Sequence, residues 1–583
     1  MSVFNSYSVR RSIFGLAKLL ASLLLLLELF VASTNAQTNS TWNGGTGNWS
    51  DSGNWNPVAV PNNSGSATYD VTIGVANSNV TMDILNDTIN NLTLEATDSL
   101  TITDNTLSLV SGASLDSGTI TNTGGIFNND AGASLTISGE FLDQYSFNTA
   151  PTLNNAGKMF LTADGGIVSN AGNINNSGTL TKAGNLDVGN SSINNSGTLT
   201  NASGGNLFVG DEGVVSNTGK FYNYGLAFNE EEISNNLGGS LINYGTIINF
   251  FDAATVNYGR LVNTSGGTIN DLEGNLINHG TLINAGTINN SGGLLYNYGT
   301  LNNAGMLLST AGAENFDGLL DNYGTLNNSG TLTISSGTGF VGQSTLNNYG
   351  TINNSGMLFN TLVGGNGGFP VSTLNNFGTL NNSGTITNTG TFTNSGFVNI
   401  TSSGLFTTST DYTQTTGRTI VNGTLTATGS SVVNIQHGIL SGGGTINGNV
   451  LMGGTMIAGT PGDPRTMMIN GNYEQSGGAS YEELINGTSN GLLDVSGLAK
   501  LDTDAFLKIA LEGGFDPSNG TSYTIVNYGS ESGGFVISDP FFNHGSQKWV
   551  ISSYDGGGGN DIVLTAEANA VATTPEPGTR VLV

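Results

Sequence analysis

Two carboxyl groups held about 5 to 10 Å apart can hydrolyse a glycosidic bond, and a basic side chain beside acidic calcium ligands can cleave one by elimination. The acidic residues available for such work are Asp211 with Glu212, the run Glu230-Glu231-Glu232, Asp271 with Glu273, and Glu482 with Glu483. Only the triple glutamate is dense, and a run of like charges is usually a solvated loop. The three histidines, His279, His437 and His544, are far apart in sequence. His279 occupies the variable position of a repeat where other copies carry Tyr, Ser or Ala, so a surface position is expected. No ligand spacing typical of a metal site and no Ser/His/Asp arrangement emerges. The expectation is therefore a chain without catalytic residues, metal or cofactor.

Two further motifs bear on binding. Gly556-Gly-Gly-Gly-Asn-Asp561-Ile-Val-Leu564 fits the nonapeptide of calcium-binding β-rolls. Such rolls share each calcium between stacked copies, and this single copy is better read as a hairpin turn into a last strand. Three of the four tryptophans, Trp42, Trp49 and Trp55, fall within a short Gly/Asn-rich segment. An exposed indole can stack on a sugar ring, which makes this trio a candidate glycan-stacking site. The competing reading is a cap, because a stacked β fold must cover the open end of its first coil.

What would position any such residues is a repeat. A six-residue phrase, Asn-x-Gly-Thr-(Leu/Ile)-Asn, recurs through the centre of the chain, most clearly doubled from Asn322 to Leu332. Doubled copies begin at Asn297, Asn322, Asn348 and Asn376, in steps of 25, 26 and 28 residues; copies opened by Ile174 and Ile193 lie 19 apart. Steps of this size suit one coil of a β-solenoid, built from two or three short strands and their turns. Within a phrase, Thr and Leu or Ile favour a strand whose alternation turns the aliphatic side chain inward and Thr outward. Asn-x-Gly is expected to supply the bend through the tolerance of Gly and Asn for positive φ. Stacked coils would also bring equivalent Asn side chains within hydrogen-bonding distance, as a ladder. A disordered Asn/Gly tract is the alternative, disfavoured because the apolar positions keep phase with the glycines.

Composition agrees with a thin, long core. Of 583 residues, 88 are Gly, none is Cys and only 9% are charged, yet 37% are hydrophobic, too many for a purely disordered chain. Without disulfides, backbone ladders and aliphatic stripes must hold the fold. The formal charge of −28 repels phosphate backbones and anionic lipids, so no nucleic-acid partner is expected.

The expected organisation is a signal peptide over 1–36, a Trp-containing cap with first strands over 37–150, solenoid repeats over 151–400, their continuation over 401–460, a C-terminal β-module over 461–566, and a tail over 567–583. The signal peptide is read from Arg10, Arg11 and Lys18, the apolar run Leu19 to Val31, and small residues ending at Ala36. Almost no helical periodicity is present; the best stretch lies within Leu498 to Leu511.

Two resemblances emerge. Ser441-Gly-Gly-Gly-Thr-Ile-Asn-Gly-Asn-Val450, Ile457-Ala-Gly-Thr-Pro-Gly462 and Ile469-Asn-Gly-Asn-Tyr-Glu-Gln475 together resemble the end of autotransporter-passenger-like β-helix proteins. That resemblance implies an all-β, right-handed β-helix exported to or beyond the outer membrane of a Gram-negative bacterium. The membrane barrel of an autotransporter would need several hundred more residues after Val583. Near the C-terminus, Thr573-Thr-Pro575-Glu576-Pro577 resembles the sorting tag of PEP-CTERM proteins, in which an apolar helix and a basic cluster follow. Here six residues follow Pro577, against the roughly 20 that cross a bilayer, so no stable membrane insertion is expected after signal cleavage. The functional expectation is a secreted, periplasmic or cell-surface structural β-solenoid associated with exopolysaccharide or surface glycans. An adhesin-like glycan-binding protein and a β-helix polysaccharide lyase or hydrolase are the alternatives. An exposed aromatic stripe would favour the binder, and a cleft of converging carboxylates the enzyme.

Overall fold

The computed structural model describes residues 36–144, 150–163, 167–210, 212–312, 316–336, 342–362, 371–537, 547–554 and 560–568. Residues 1–35, which carry most of the expected signal peptide, Asp211, His544, the four glycines Gly556 to Gly559, and the tail with Pro575, Glu576 and Pro577 lie outside them.

Each six-residue phrase forms one side of a coil. In the strand Thr325–Asn328, Leu326 and Asn328 are buried while Thr325 and Asn327 are partly exposed, the two-residue alternation expected of a pleated strand. Three such strands complete one turn. Gly318–Asn322, Thr325–Asn328 and Thr331–Ser335 are followed by Ser344–Asn348, Thr351–Asn354 and Met357–Thr361. Each strand pairs in parallel with its equivalent one turn on, in strict register: Leu320 with Leu346, Leu326 with Ile352, Leu332 with Leu358. The result is an all-β solenoid of about 18 turns. Its interior is a stack of fully buried aliphatic side chains, such as Leu301, Leu326, Ile352 and Leu380.

The chain divides into two compact units, residues 1–198 and 199–583. In the first, Ala36–Trp42 pairs in parallel with Ala67–Ile73, and Trp55–Asn56 lies antiparallel across its end, opposing Trp55 to Trp42. Regular coils begin at once, with Val80 in register with Leu100 and Thr93 with Leu115. Coils therefore lie before residue 150 as well as after it. The Asn-rich phrase starts late only because the inward corner position accepts either kind of side chain: Leu109 stands in register with Asn129, and Asn129 with Asn155.

In the second unit the parallel ladder likewise runs through the boundary expected at 460. Thr466–Asn470 and Tyr473–Gln475 pair back onto Thr445–Asn447 and Asn449–Met452. Both then pair forward onto the single ten-residue strand Leu492–Leu501. The stretch with weak helical periodicity is thus strand, Leu492–Leu501 and Phe506–Leu511, because ladder pairing to existing coils outweighs local propensity. Ser522–Gly533 and Gln547–Tyr554 then flank Asp561–Ala568 as antiparallel partners. Tyr554 opposes Asp561, the arrangement of a hairpin entering the last strand.

The repeat glycines do a different job from the one expected. Neither they nor their asparagines have positive φ; Gly324, Gly350 and Gly378 are absent from the left-handed region. A Cβ on Gly324 would instead lie 2.0 Å from the carbonyl oxygen of Gly299, and on Gly350 2.1 Å from that of Gly324. Glycine is required because corners stack backbone on backbone. The longest insertions lie at a different corner. The ladder step is 19 residues from Asn278 to Asn297 but 25 from Asn297 to Asn322. The extra residues lie between Thr310 and Gly318, the ends of the third strand of one coil and the first of the next.

Replacing Leu326 by Asp, which buries an unpartnered charge, should cost at least about 4 kcal/mol, whereas Thr325→Asp should cost no more than about 1. Gly324→Ala should cost about 3 kcal/mol or more through overlap with the coil before it. Urea denaturation of the three variants checks both; equal effects of the first two would contradict the inward assignment of Leu326.

Candidate binding face

At two corners the last inward residue of a strand is asparagine, and stacking turns these residues into buried side-chain ladders. Asn297, Asn322, Asn348 and Asn376 each pass a hydrogen bond from Nδ2 to the next Oδ1, the last to Asn394, at 2.7, 2.8, 2.7 and 2.8 Å. A second ladder runs from Asn201 through Asn223, Asn243, Asn263, Asn284, Asn303, Asn328 and Asn354 to Asn382. The other Nδ2 proton reaches a corner carbonyl, as from Asn328 to Met357 at 2.8 Å. Buried amides that satisfy one another in this way support the corner, whereas an orphaned one would cost about 1–3 kcal/mol.

The residue after each first-corner asparagine points into solvent. Tyr258, His279, Tyr298, Tyr323, Tyr349 and Phe377 fill this position in six successive coils and stack face to face, with centroids 4.7–5.0 Å apart and planes within 4–9°. The five Tyr and Phe rings are 44–46% exposed. Each inner ring has both faces covered by its neighbours, so the ridge offers edges and phenol hydroxyls. Tyr323 Oη donates to Asp321 Oδ2 at 3.3 Å, and Asn347 Nδ2 to Asp321 Oδ1 at 2.9 Å. The ridge therefore leans over the side of the coil that carries Asp321.

The second side of the coil carries regular columns. Thr300, Thr325, Thr351 and Thr379 are in register. Two residues on, Asn302, Asn327, Asn353 and Asn381 form an outward amide ladder at 2.8, 2.8 and 2.9 Å. Its donors point towards earlier coils, opposite to those of the buried ladder beside it. At the following corner Ser329, Ser355 and Ser383 donate to the carbonyls of Asn303, Asn328 and Asn354, each at 3.3 Å. Amides and hydroxyls together line a shallow groove of about 300 Å³ that ends near Thr401.

Among the described residues, those singled out by sequence do not converge. Trp42, Trp49 and Trp55 are completely buried, with Trp55 edge-on to both others at 4.9 and 4.8 Å. Trp55 Nε1 donates to the Trp49 carbonyl at 2.8 Å. No ring face is open to a sugar; the first strands hold the rings in the core, as an apolar end-filling demands. Glu230 and Glu231 are exposed at a corner, and His437 is exposed. Asp271 points inward and Glu273 sits at positive φ in the turn after it. Glu482 and Glu483 alternate to opposite sides of one strand. Among the described residues no group of three or more His, Asp or Glu could hold a metal ion, and no helix is long and apolar enough to cross a membrane.

Sequence reasoning named Asp271 and Glu483 but missed that they, like several other ionisable groups, are buried. Glu483 is fully buried, and burial raises its pKa well above the ordinary carboxyl value despite hydrogen bonds that oppose the shift. Tyr481 Oη lies 2.7 Å from Glu483 Oε2 and 3.1 Å from the Ile525 carbonyl. The Tyr481 hydroxyl is the donor to both, its proton shared between Glu483 Oε2 and the carbonyl. Lys182, inward in register with Leu161, has its pKa lowered to about 7 by burial. Asp116 and Asp271 are pushed up to about 8, and Asp87 and Asp143 to about 7, all chiefly by burial.

Asp271 interrupts a ladder, standing in register between Asn249 and Asn290. Neither its oxygens nor Asn290 Oδ1 has a well-formed hydrogen bond. Its folded pKa of about 8 lies well above the ordinary carboxyl value of 3.8, chiefly because burial disfavours the charged form. Between those two pH values the unfolded chain has released a proton that the folded chain keeps. This contribution is complete below about pH 4, is lost as pH rises to about 8 and stays lost above it. Asp271→Asn restores a donor to Asn290 and removes the slope. Thermal melts should show the variant above the parent by about 1–3 kcal/mol at pH 8 and nearly level at pH 4; a gap that does not change with pH would contradict this.

No family model matches the chain, and no curated protein matches it significantly. The class is defined by the coil itself: a three-sided parallel β-solenoid with amide ladders inside and regular polar columns outside.

Proposed function

We propose that this chain is an exported structural protein, a rigid extracellular or cell-surface spacer that associates with extracellular polysaccharide. The observation that carries this reading is the long buried amide ladder from Asn201 to Asn382, which ties successive coils into one stiff element of the second unit. The leader ending at Ala36 and the Pro575-Glu576-Pro577 tail motif support export. The absence of cysteine suits a fold stabilised by repetition rather than by disulfides. A second reading, an adhesin-like glycan binder, is favoured by the ridge from Tyr258 to Phe377, since solvent-exposed aromatic rows are uncommon on surfaces without partners.

Fractionation of the producing culture tests the proposal. The expected result is a chain beginning at Gln37, found in the medium or in the polysaccharide matrix and released by high salt or by matrix-degrading enzymes. A chain retained in the cytoplasm with its leader intact, or one in the membrane pellet that resists salt and alkaline extraction, would overturn it.

A further inference from the structure

We infer that the groove along Asn327, Ser329, Asn353, Ser355, Asn381 and Ser383 is a binding site for a neutral, extended, β-linked polysaccharide whose chain runs parallel to the solenoid axis, one sugar per coil. The inference rests on the association with polysaccharide proposed above and names the face and the chemistry.

The argument begins with unspent hydrogen-bonding capacity. A side-chain amide has two N–H donors and two acceptor lone pairs. Asn327 uses one donor towards Asn302 and one lone pair for Asn353; Asn353 is used in the same way by Asn327 and Asn381. Each amide retains one donor and one acceptor directed outward. The serine hydroxyls commit their protons to corner carbonyls, which leaves their lone pairs as acceptors beside the amides. Each coil therefore presents the same small set of groups, one donor and two acceptors, in a row that the ladder holds rigid.

A ligand for such a row must supply both donors and acceptors at every step, which alcohol groups do. It must also repeat with the spacing of stacked strands, about 4.8 Å, and an extended β-linked glycan advances by close to one strand spacing per sugar. The lining contains no charged side chain, so it offers an ionised sugar no counter-charge, and the net charge of −28 repels acidic polymers. Its lining residues are Asn, Ser and Thr, with no aliphatic or aromatic side chain to receive the apolar anchor of a protein partner. Each subsite is weak alone, and affinity accrues because the subsites are linked through one ligand chain.

The test is co-sedimentation of the full chain with amorphous cellulose, as the neutral β-linked probe, beside soluble competition by dextran and by alginate. Binding to cellulose that neither competitor displaces is expected. The triple variant Asn327→Ala, Asn353→Ala, Asn381→Ala should lower the affinity at least tenfold, and so should Ser355→Phe, which fills the groove from an exposed position without touching the ladder. The pair Asn347→Ala, Asn375→Ala, which breaks an outward ladder on another side, should not. Thermal melts of every variant separate lost binding from lost folding. Failure to bind cellulose, or displacement by alginate, overturns the site while leaving an extracellular spacer intact, because localisation is read by fractionation. Binding that survives both groove variants but is lost on Tyr323→Ala with Tyr349→Ala overturns it in favour of the aromatic ridge.

Discussion

The structure depends on the close stacking of one coil corner on the next. Backbone carbonyls of successive Asn-x-Gly corners approach so nearly that a single Cβ at Gly324 would sit 2.0 Å from an oxygen. That approach sets the spacing at which Asn297, Asn322 and Asn348 can exchange side-chain hydrogen bonds of 2.7 and 2.8 Å. Widen the corner, and the amide ladder, the aliphatic stack and the aromatic ridge lose their spacing together. The two residue types of the phrase are thus coupled: glycine permits the approach, and asparagine converts it into a buried, mutually satisfied polar network.

The same constraint explains where variation is tolerated. Most first and second corners keep Asn-x-Gly because both stack tightly, a few widening by two residues as at Asn263-Thr-Ser-Gly-Gly267, and the variable residue is free to be Tyr, His, Phe, Ser or Ala. The third corner accepts insertions, so the coil length changes while the register of the three strands does not. Outward residues inherit the coil spacing whatever they are. This is how a row of unrelated substitutions becomes a ridge of stacked rings on one corner and a comb of amides and hydroxyls along another side.

The phase of the repeat was legible in the sequence, because the alternation of Thr325 and Leu326 is a local property of a strand and the buried environment simply enforces it. The amide ladders were legible for the same reason: identical residues at identical phase must stack. The role of glycine was not, since sequence shows only that a Cβ is missing and not whether dihedral freedom or a neighbouring carbonyl forbids it. The aromatic ridge was also missed. Its residues fall in the position that varies, and only the coil spacing shows that His279 belongs between Tyr258 and Tyr298. The buried state of Trp42, Trp49 and Trp55 depends on which end of the first coil they cover, a long-range fact that composition does not carry. The early coils hid from the repeat pattern because Leu109 can stand where Asn129 follows.

If the buried ladder is the spine of the second unit, neighbouring asparagines on one strand must differ sharply in worth. Asn348 is fully buried and bonded on both sides, while Asn347, one residue earlier, faces out. Equilibrium unfolding of Asn348→Ala against Asn347→Ala is therefore the most direct measurement. Loss of Asn348 should cost about 3 kcal/mol, because it orphans a donor on Asn322 and an acceptor on Asn376, and loss of Asn347 no more than about 1. Equal and small costs would contradict the account, showing that the aliphatic stack alone holds the coils together.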